Sequence, residues 1–396
     1  VDAQTPRRLS PSLSEYLPME RLPWYTDVST HPALRKGERV INISAASLGE
    51  NRVMTTTISI PIREVHDLRP TVNTSWQILT LSDSEPNQSI SSETISGPPN
   101  AKGVIDTQLV RVADTVVAYG SNMPSRGCSC CNRRGCWFMW VYSIATCEWR
   151  EMPYVDGDSP CLRQGPVLFS IGDSLVLTGG LPYGERLPKT DTWEWSLQTH
   201  TWTYKGECDA IPTVRILQGS TSGDTFHAFK REYRSEEFYH VQYCRGTWNE
   251  VPDLWGRSLL GVAYPKEFWS GCTKAVSLSD QYQLVIHQRR GRGDTPYITE
   301  CVVRDCISLD VVPLEVLSVD EAIEKAAFLF VNPETLLIVC PHTHIVVTLD
   351  PSILSRFHSS MVGYPDFCDR ERDDPTLEDS DSYSYSYSDL TDSEDE

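Results

Sequence analysis

Three groups of residues in the chain carry side chains that bind or react. The densest is Cys128, Cys130, Cys131 and Cys136. Thiolates within one loop suit a tetrahedral Zn²⁺. Zinc sites usually take ligands as two CxxC-type pairs on separate turns, however, and the adjacent Cys130 and Cys131 cannot easily ligate one ion together. A surface insertion with free thiols fits the spacing better. The second group is His342 and His344. Two residues apart on a strand, they share one face and make half a metal site. No carboxylate or further His stands nearby at matching spacing, so a pair of histidines at a strand turn is the simpler reading. The third group is basic: Arg126, Arg133 and Arg134, then Arg289, Arg290 and Arg292. It forms a local basic excess on an acidic protein, set against the plainer reading of solvated loop arginines.

Catalytic patterns are not found. None of the nine His stands in a motif with a Ser or Cys nucleophile. Gly291-Arg292-Gly293 lacks the remaining glycines and the Lys of a phosphate-binding loop. Arg292-Gly293-Asp294 spells an integrin-binding tripeptide, but its flank reads as a basic loop. The sequons at Asn42, Asn73 and Asn87 matter only in a secreted chain. No catalytic residue, cofactor site or metal site is therefore assigned.

Elements of some kind must position these loops, and composition bounds which. The 396 residues are 40% hydrophobic and 10% aromatic, enough for a sizeable core. Apolar runs such as Leu336–Cys340 are far shorter than the roughly 20 residues of a membrane span, so no membrane partner is expected. The net charge of −19 argues against nucleic acid, which needs a basic footprint. Thirteen acids against two arginines fall within 366–396. That acidic, Ser/Tyr-rich stretch reads as a disordered tail. Its Thr391 and Ser393 each have an acid three residues on, the pattern acidophilic kinases favour. Thirteen mostly singly spaced cysteines point to a reducing compartment, hence the cytoplasm.

A repeat fills the rest. An apolar alternating run meets a turn residue and a second apolar run follows, centred on Asn51, Asp114, Asp173, Asp224, Asp280 and Glu334. Period-2 runs meeting at such turns read as β-hairpins. The anchors are 51 to 63 residues apart, close to the roughly 50-residue period of a four-stranded propeller blade. Aromatics support the register: Trp140, Tyr142 and Trp149 are spaced like Trp193, Trp195 and Trp202, and like Tyr239, Val241 and Trp248. Large rings at such positions fill the wedges between blades.

At these residues the chain resembles the Kelch-repeat family of β-propellers. Gly179-Gly180, Trp195 and Trp202 follow the family pattern of a strand ending in Gly-Gly, then an aromatic, then a Trp seven residues on. Gly120, Tyr142 and Trp149 follow it in part, and a third copy keeps Trp248. The resemblance covers about residues 104–252 and implies an all-β propeller of about six four-stranded blades. The expected organisation is a poorly structured segment at 1–36, a propeller at 37–365 and the tail at 366–396. The polar stretch 81–102 reads as a loop between blades, and Ser318–Glu321 as the start of a short helix over 322–329.

Non-catalytic protein binding is the function expected of this scaffold, through the loops 121–135, 181–190 and 288–295. Two alternatives come with the resemblance. Kelch propellers often follow an F-box in ubiquitin-ligase adaptors, although here Pro18 and Pro23 interrupt any N-terminal helix. Others are enzymes acting on carbohydrate, whose site residues match no pattern in this chain.

Overall fold

Six apolar hairpins in one chain can bury their faces only against one another. In the computed structural model they do so as six four-stranded antiparallel sheets in a propeller ring. The structure describes residues 23–32, 38–62, 72–82, 89–99, 104–122, 136–152, 159–161, 163–182, 185, 188–207, 215–231, 238–251, 272–290, 297–307, 311–315, 317, 319 and 322–362.

Strand β1 (Tyr25–Pro32) comes first. Blade I holds β2 (Glu38–Gly49), β3 (Arg52–Pro61), β4 (Asn73–Ser82) and β5 (Ser89–Ile95). Blade II holds β6 (Val104–Val112), β7 (Thr115–Asn122), β8 (Cys136–Ser143) and β9 (Glu148–Glu151). The short β10 (Arg163–Gln164) precedes blade III, which holds β11 (Val167–Ile171), β12 (Ser174–Thr178), β14 (Asp191–Ser196) and β15 (Trp202–Glu207). Between them β13 (Leu181–Pro182) turns back to pair with β10. Blade IV holds β16 (Arg215–Ser222), β17 (Thr225–Arg231), β18 (Phe238–Cys244) and β19 (Thr247–Val251). Blade V holds β20 (Cys272–Ser277), β21 (Tyr282–Arg290), β22 (Tyr297–Asp305) and β23 (Val311–Pro313). Blade VI takes β24 (Ala327–Asn332), β25 (Thr335–Val339) and β26 (Thr343–Leu349) from the end of the fold, and its outer strand is β1. Helix α1 (Ile353–Val362) follows.

The first strand of each blade packs against its counterparts on both sides, and β24 returns to β2, so the ring closes. Like ends of these inner strands meet. Asn42 near the start of β2 donates to Asp106 near the start of β6 (3.2 Å), and Lys325 just before β24 donates to the Val40 carbonyl (2.8 Å). At the other end Thr221 donates to the Ser170 carbonyl (2.8 Å) and Asn332 to Asn51 (2.9 Å). All inner strands therefore run the same way along the axis. Every second-to-third strand connection, and every crossing to the next blade, then leaves from one end of the ring. The tight hairpin turns occupy the other end.

All six hairpin anchors lie in those turns, between the inner strand and the second strand. Ala113, Gly172 and Gly223 adopt φ of 50°, 54° and 58° ahead of Asp114, Asp173 and Asp224. Such left-handed residues give a two-residue turn the twist its flanking strands need. Apolar clusters fill the wedges between blades at every junction but that of blades IV and V among the described residues. Met54, Ile58 and Trp76 of blade I meet Val116, Ala118 and Trp140 of blade II. Phe169 of blade III stacks on Phe226 of blade IV with centroids 3.7 Å apart.

The last Trp of each set, Trp149, Trp202 and Trp248, is half-buried and sits at the start of an outermost strand. There it pairs with an aromatic on the third strand: Tyr142 with Trp149, Trp195 with Trp202, and Tyr243 with Trp248. The third copy therefore aligns on Val241 and Tyr243, two residues later than the spacing of Tyr239, Val241 and Trp248 indicates. Its turn at Arg245-Gly246 is shorter by two residues than those of blades II and III. The indoles reach backwards round the ring. Trp149 donates to the Ser96 carbonyl behind blade I (3.1 Å) and Trp248 to Thr192 of blade III (2.8 Å).

Three expectations change. Tyr25–Pro32, inside the segment 1–36 expected to be irregular, forms β1 and pairs along its length with β26. Composition misleads here because an outer edge strand needs little apolar content when its partner supplies it. Ser89–Ile95, inside the expected loop 81–102, is the outer strand of blade I, polar because it faces solvent. The helix expected over 322–329 shrinks to one 3₁₀ turn at Ile323–Lys325, since β24 begins at Ala327 and the ring claims those residues. The 366–396 tail lies outside the described residues.

Candidate functional site

The end of the ring that carries the longer connections is the candidate site. The loops 121–135, 181–190 and 288–295 are the second-to-third strand connections of blades II, III and V, so all three leave from this end. Blades II and V stand opposite each other in the ring. Arg289 and Arg290 are the last two residues of β21. Arg126, Arg133, Arg134 and Arg292 lie outside the described residues. Gln288, the first residue of its proposed loop, is buried and is not a surface contact: it donates to Thr299 (3.2 Å) and accepts from the Ile323 amide (2.8 Å), tying blade V to the 3₁₀ turn.

Below this end lies a buried polar knot that joins blades I, II and III. Arg163 of β10 is fully enclosed, with a bidentate pair to Asp191 at 2.5 and 2.8 Å. Its other donors serve the Gly179 carbonyl (3.0 Å) and the Cys161 carbonyl (3.0 Å). The Gly179-Gly180 pair thus has a job: φ of 67° and 86° turns the chain sharply after β12 and aims a carbonyl at Arg163. Burial alone would raise the Asp191 carboxyl, but the Arg163 guanidinium and the Trp193 indole (2.7 Å) outweigh it and hold the group below its ordinary value. Asp191 therefore opens β14 as an anchor. Alongside, Asp106 accepts from Asn42 and from the Gly165 amide (2.8 Å), and burial raises its carboxyl. Gln108 donates to the Pro166 carbonyl and accepts from the Leu168 amide (3.1 Å). Two side chains of blade II, Asp106 and Gln108, thus stitch the β6–β11 junction.

A second polar seam separates blades IV and V near the turn end. Gln283 donates to Ser220 (2.6 Å), Ser222 donates to the carbonyls of Ser279 and Asp280, and Asp305 accepts from Gln281 (2.6 Å). His227 and Arg304 are buried within it. Desolvation, with the Arg304 charge added, pulls the His227 imidazole down to about 4, so it is neutral at pH 7. The seam and the knot make mostly internal bonds, although Gln283 Oε1 in the seam and Asn42 Oδ1 in the knot are buried without a hydrogen bond.

Among the described residues no group of three or more His, Cys, Asp or Glu is placed to hold a metal ion. Cys128, Cys130 and Cys131 lie outside them, and Cys136 opens β8. His342 is exposed in the β25–β26 turn, while His344 lies on β26. The Arg-Gly-Asp tripeptide also falls outside the described residues. Sequence reading missed Arg163, although a signal was present: Pro160-Cys161-Leu162-Arg163 and Pro212-Thr213-Val214-Arg215 repeat a Pro-x-x-Arg, just ahead of the inner strand of blade III and leading into that of blade IV.

No protein-family model matches the chain, and no curated protein matches it in sequence. Solved structures do resemble it. A crystal structure of a protein of unknown function from Dyadobacter fermentans aligns with a TM-score of 0.54 at 13% identity, covering 82% of this chain and 99% of that one. The structure of YjhT aligns with a TM-score of 0.49 at 12% identity, covering 84% and 95%. The likeness to the Dyadobacter protein is one of fold, and the class it defines with the ring described above is the six-bladed β-propeller. No helix among the described residues is long and apolar enough to cross a membrane.

Proposed function

We propose that the chain is a Kelch-type propeller that binds a protein partner, without catalysis, through the loop end of the ring. The observation that carries this reading is topological. The three loops singled out for recognition all leave from one end, and they hang from a scaffold whose blades are tied by polar bonds such as Gln283 to Ser220 and the Leu168 amide to Gln108. A rigid ring with variable loops on one end is built for recognition. The Kelch resemblance is supported by Gly179-Gly180 and by the Tyr142–Trp149 and Trp195–Trp202 pairs, whose geometry explains the motif's spacing.

The partner surface facing this end is acidic, because two arginine groups on opposite blades, 126/133/134 and 289/290/292, would meet it. The acidic tail competes for the same arginines. After Cys368 it has 28 residues, which as a flexible coil span roughly 30 Å. The test is charge reversal. The ring carrying R289E and R290E, and separately R126E, R133E and R134E, is compared with wild type for proteins retained at low salt. Loss of the same retained proteins in both variants supports the reading. An unchanged set refutes it.

A further inference from the structure

We propose that His31 and His344 form a two-imidazole site for a late first-row divalent metal ion, which clips the ring at its closing seam. The seam is the β1–β26 pairing, the place where the chain's first described strand completes its last blade. In the register of that pairing His31 lies directly opposite His344. Directly opposed residues share one face of the sheet, with Cβ atoms roughly 4.5–5.5 Å apart. Two imidazoles at that separation can converge on one ion through metal–nitrogen bonds of about 2.0–2.1 Å. Imidazole suits zinc, copper and nickel.

Two further features fit. Both histidines are half-buried, so an ion can enter yet is partly shielded from water. Ser29, two residues before His31 on the same strand, has its hydroxyl 3.2 Å from His31 Nε2. When that hydroxyl accepts from Nε2–H, the lone pair of His31 is left on Nδ1. A partner on the remote nitrogen is the usual way a ligating imidazole is oriented and its tautomer fixed. With no third ligand assembled among the described residues, water completes the coordination and the ion exchanges. The site exists only while β1 is docked on β26, so the ion stabilises the closed ring by mass action.

The test is thermal unfolding of the full chain with and without Ni²⁺, on wild type and on H31N, H344N and H342N. The proposal predicts a saturable rise in Tm of a few degrees at a hundredfold excess over Kd, reversed by chelator. The rise should persist in H342N and vanish in H31N and H344N. No rise in wild type at millimolar Ni²⁺, or a rise that survives in H31N or H344N, overturns it. If a variant fails to fold, Cu²⁺ bound to the wild type decides: an electron paramagnetic resonance spectrum with two coupled imidazole nitrogens supports the site, and any other ligand set overturns it.

Discussion

Replacing Arg163 by Met removes the hub of the knot while keeping a side chain of similar reach. The variant loses the bidentate pair to Asp191 and the bonds to the Gly179 and Cys161 carbonyls. Asp191 keeps its Trp193 bond but stands without its countercharge, with its side chain only 15% exposed. Removing one partner of a buried pair costs about 3–5 kcal/mol. Urea unfolding followed by tryptophan fluorescence at pH 7.5 should show that loss. The pH dependence carries the sharper test. In wild type the Asp191 carboxyl is held low, so its contribution is present above the unfolded value near 3.8 and fades as pH falls through the lower folded value. In R163M burial, the largest influence on this carboxyl, is opposed only by the Trp193 bond and the Lys189 charge, and should raise the group above that value. The variant therefore recovers stability as acid protonates Asp191, and the gap to wild type should narrow between pH 7.5 and 4.5. Adding D191N to R163M should recover part of the loss at neutral pH. A cost below about 1 kcal/mol, or a gap that does not change with pH, would refute the argument.

Truncating Trp248 to Ala removes an indole packed on Phe169, Phe226 and Tyr243 and bonded to Thr192, and should cost roughly 3 kcal/mol in the same assay; a neutral result would show that the Trp does not bridge blades. His227 has a folded value of about 4 against 6.5, so its burial as the neutral form contributes stability above pH 6.5 that is lost as pH falls toward 4. That loss is about 3 kcal/mol, and H227Q should flatten the acid side of the stability profile; an unaltered profile would contradict the assignment. Deleting 369–396 should strengthen partner binding at low salt and leave it unchanged at high salt, since exposed charges are screened beyond about 8–10 Å; equal affinity at low salt would reject competition by the tail.

Much of the ring was legible because its hairpins obey local rules. Asp114, Asp173 and Asp224 sit where a period-2 run must reverse, and all six anchors mark real turns. What stayed hidden depends on contacts between distant residues. Nothing local marks Tyr25–Pro32 as a strand, because its partner β26 lies at the other end of the fold. Ser89–Ile95 reads as a loop because an outer strand exposes most of its side chains. Arg163 looks like any loop arginine until the Gly179 carbonyl and Asp191 close around it. Tyr243 was missed as the match to Trp195 because a turn two residues shorter shifts the count. Only Arg289 and Arg290 of the arginine groups fall within described strands, so the interaction face was legible through its topology and not through its surface chemistry.

The measurement that bears most directly on the account is cross-linking mass spectrometry of the ring with its bound partner. Binding through the loop end predicts that partner cross-links concentrate in the second-to-third strand connections, around 123–135, 183–190 and 291–296, and on the crossings between blades. Cross-links confined to the hairpin turns at Asp114, Asp173 and Asp224, or to the outer strands β5 and β15, would contradict it.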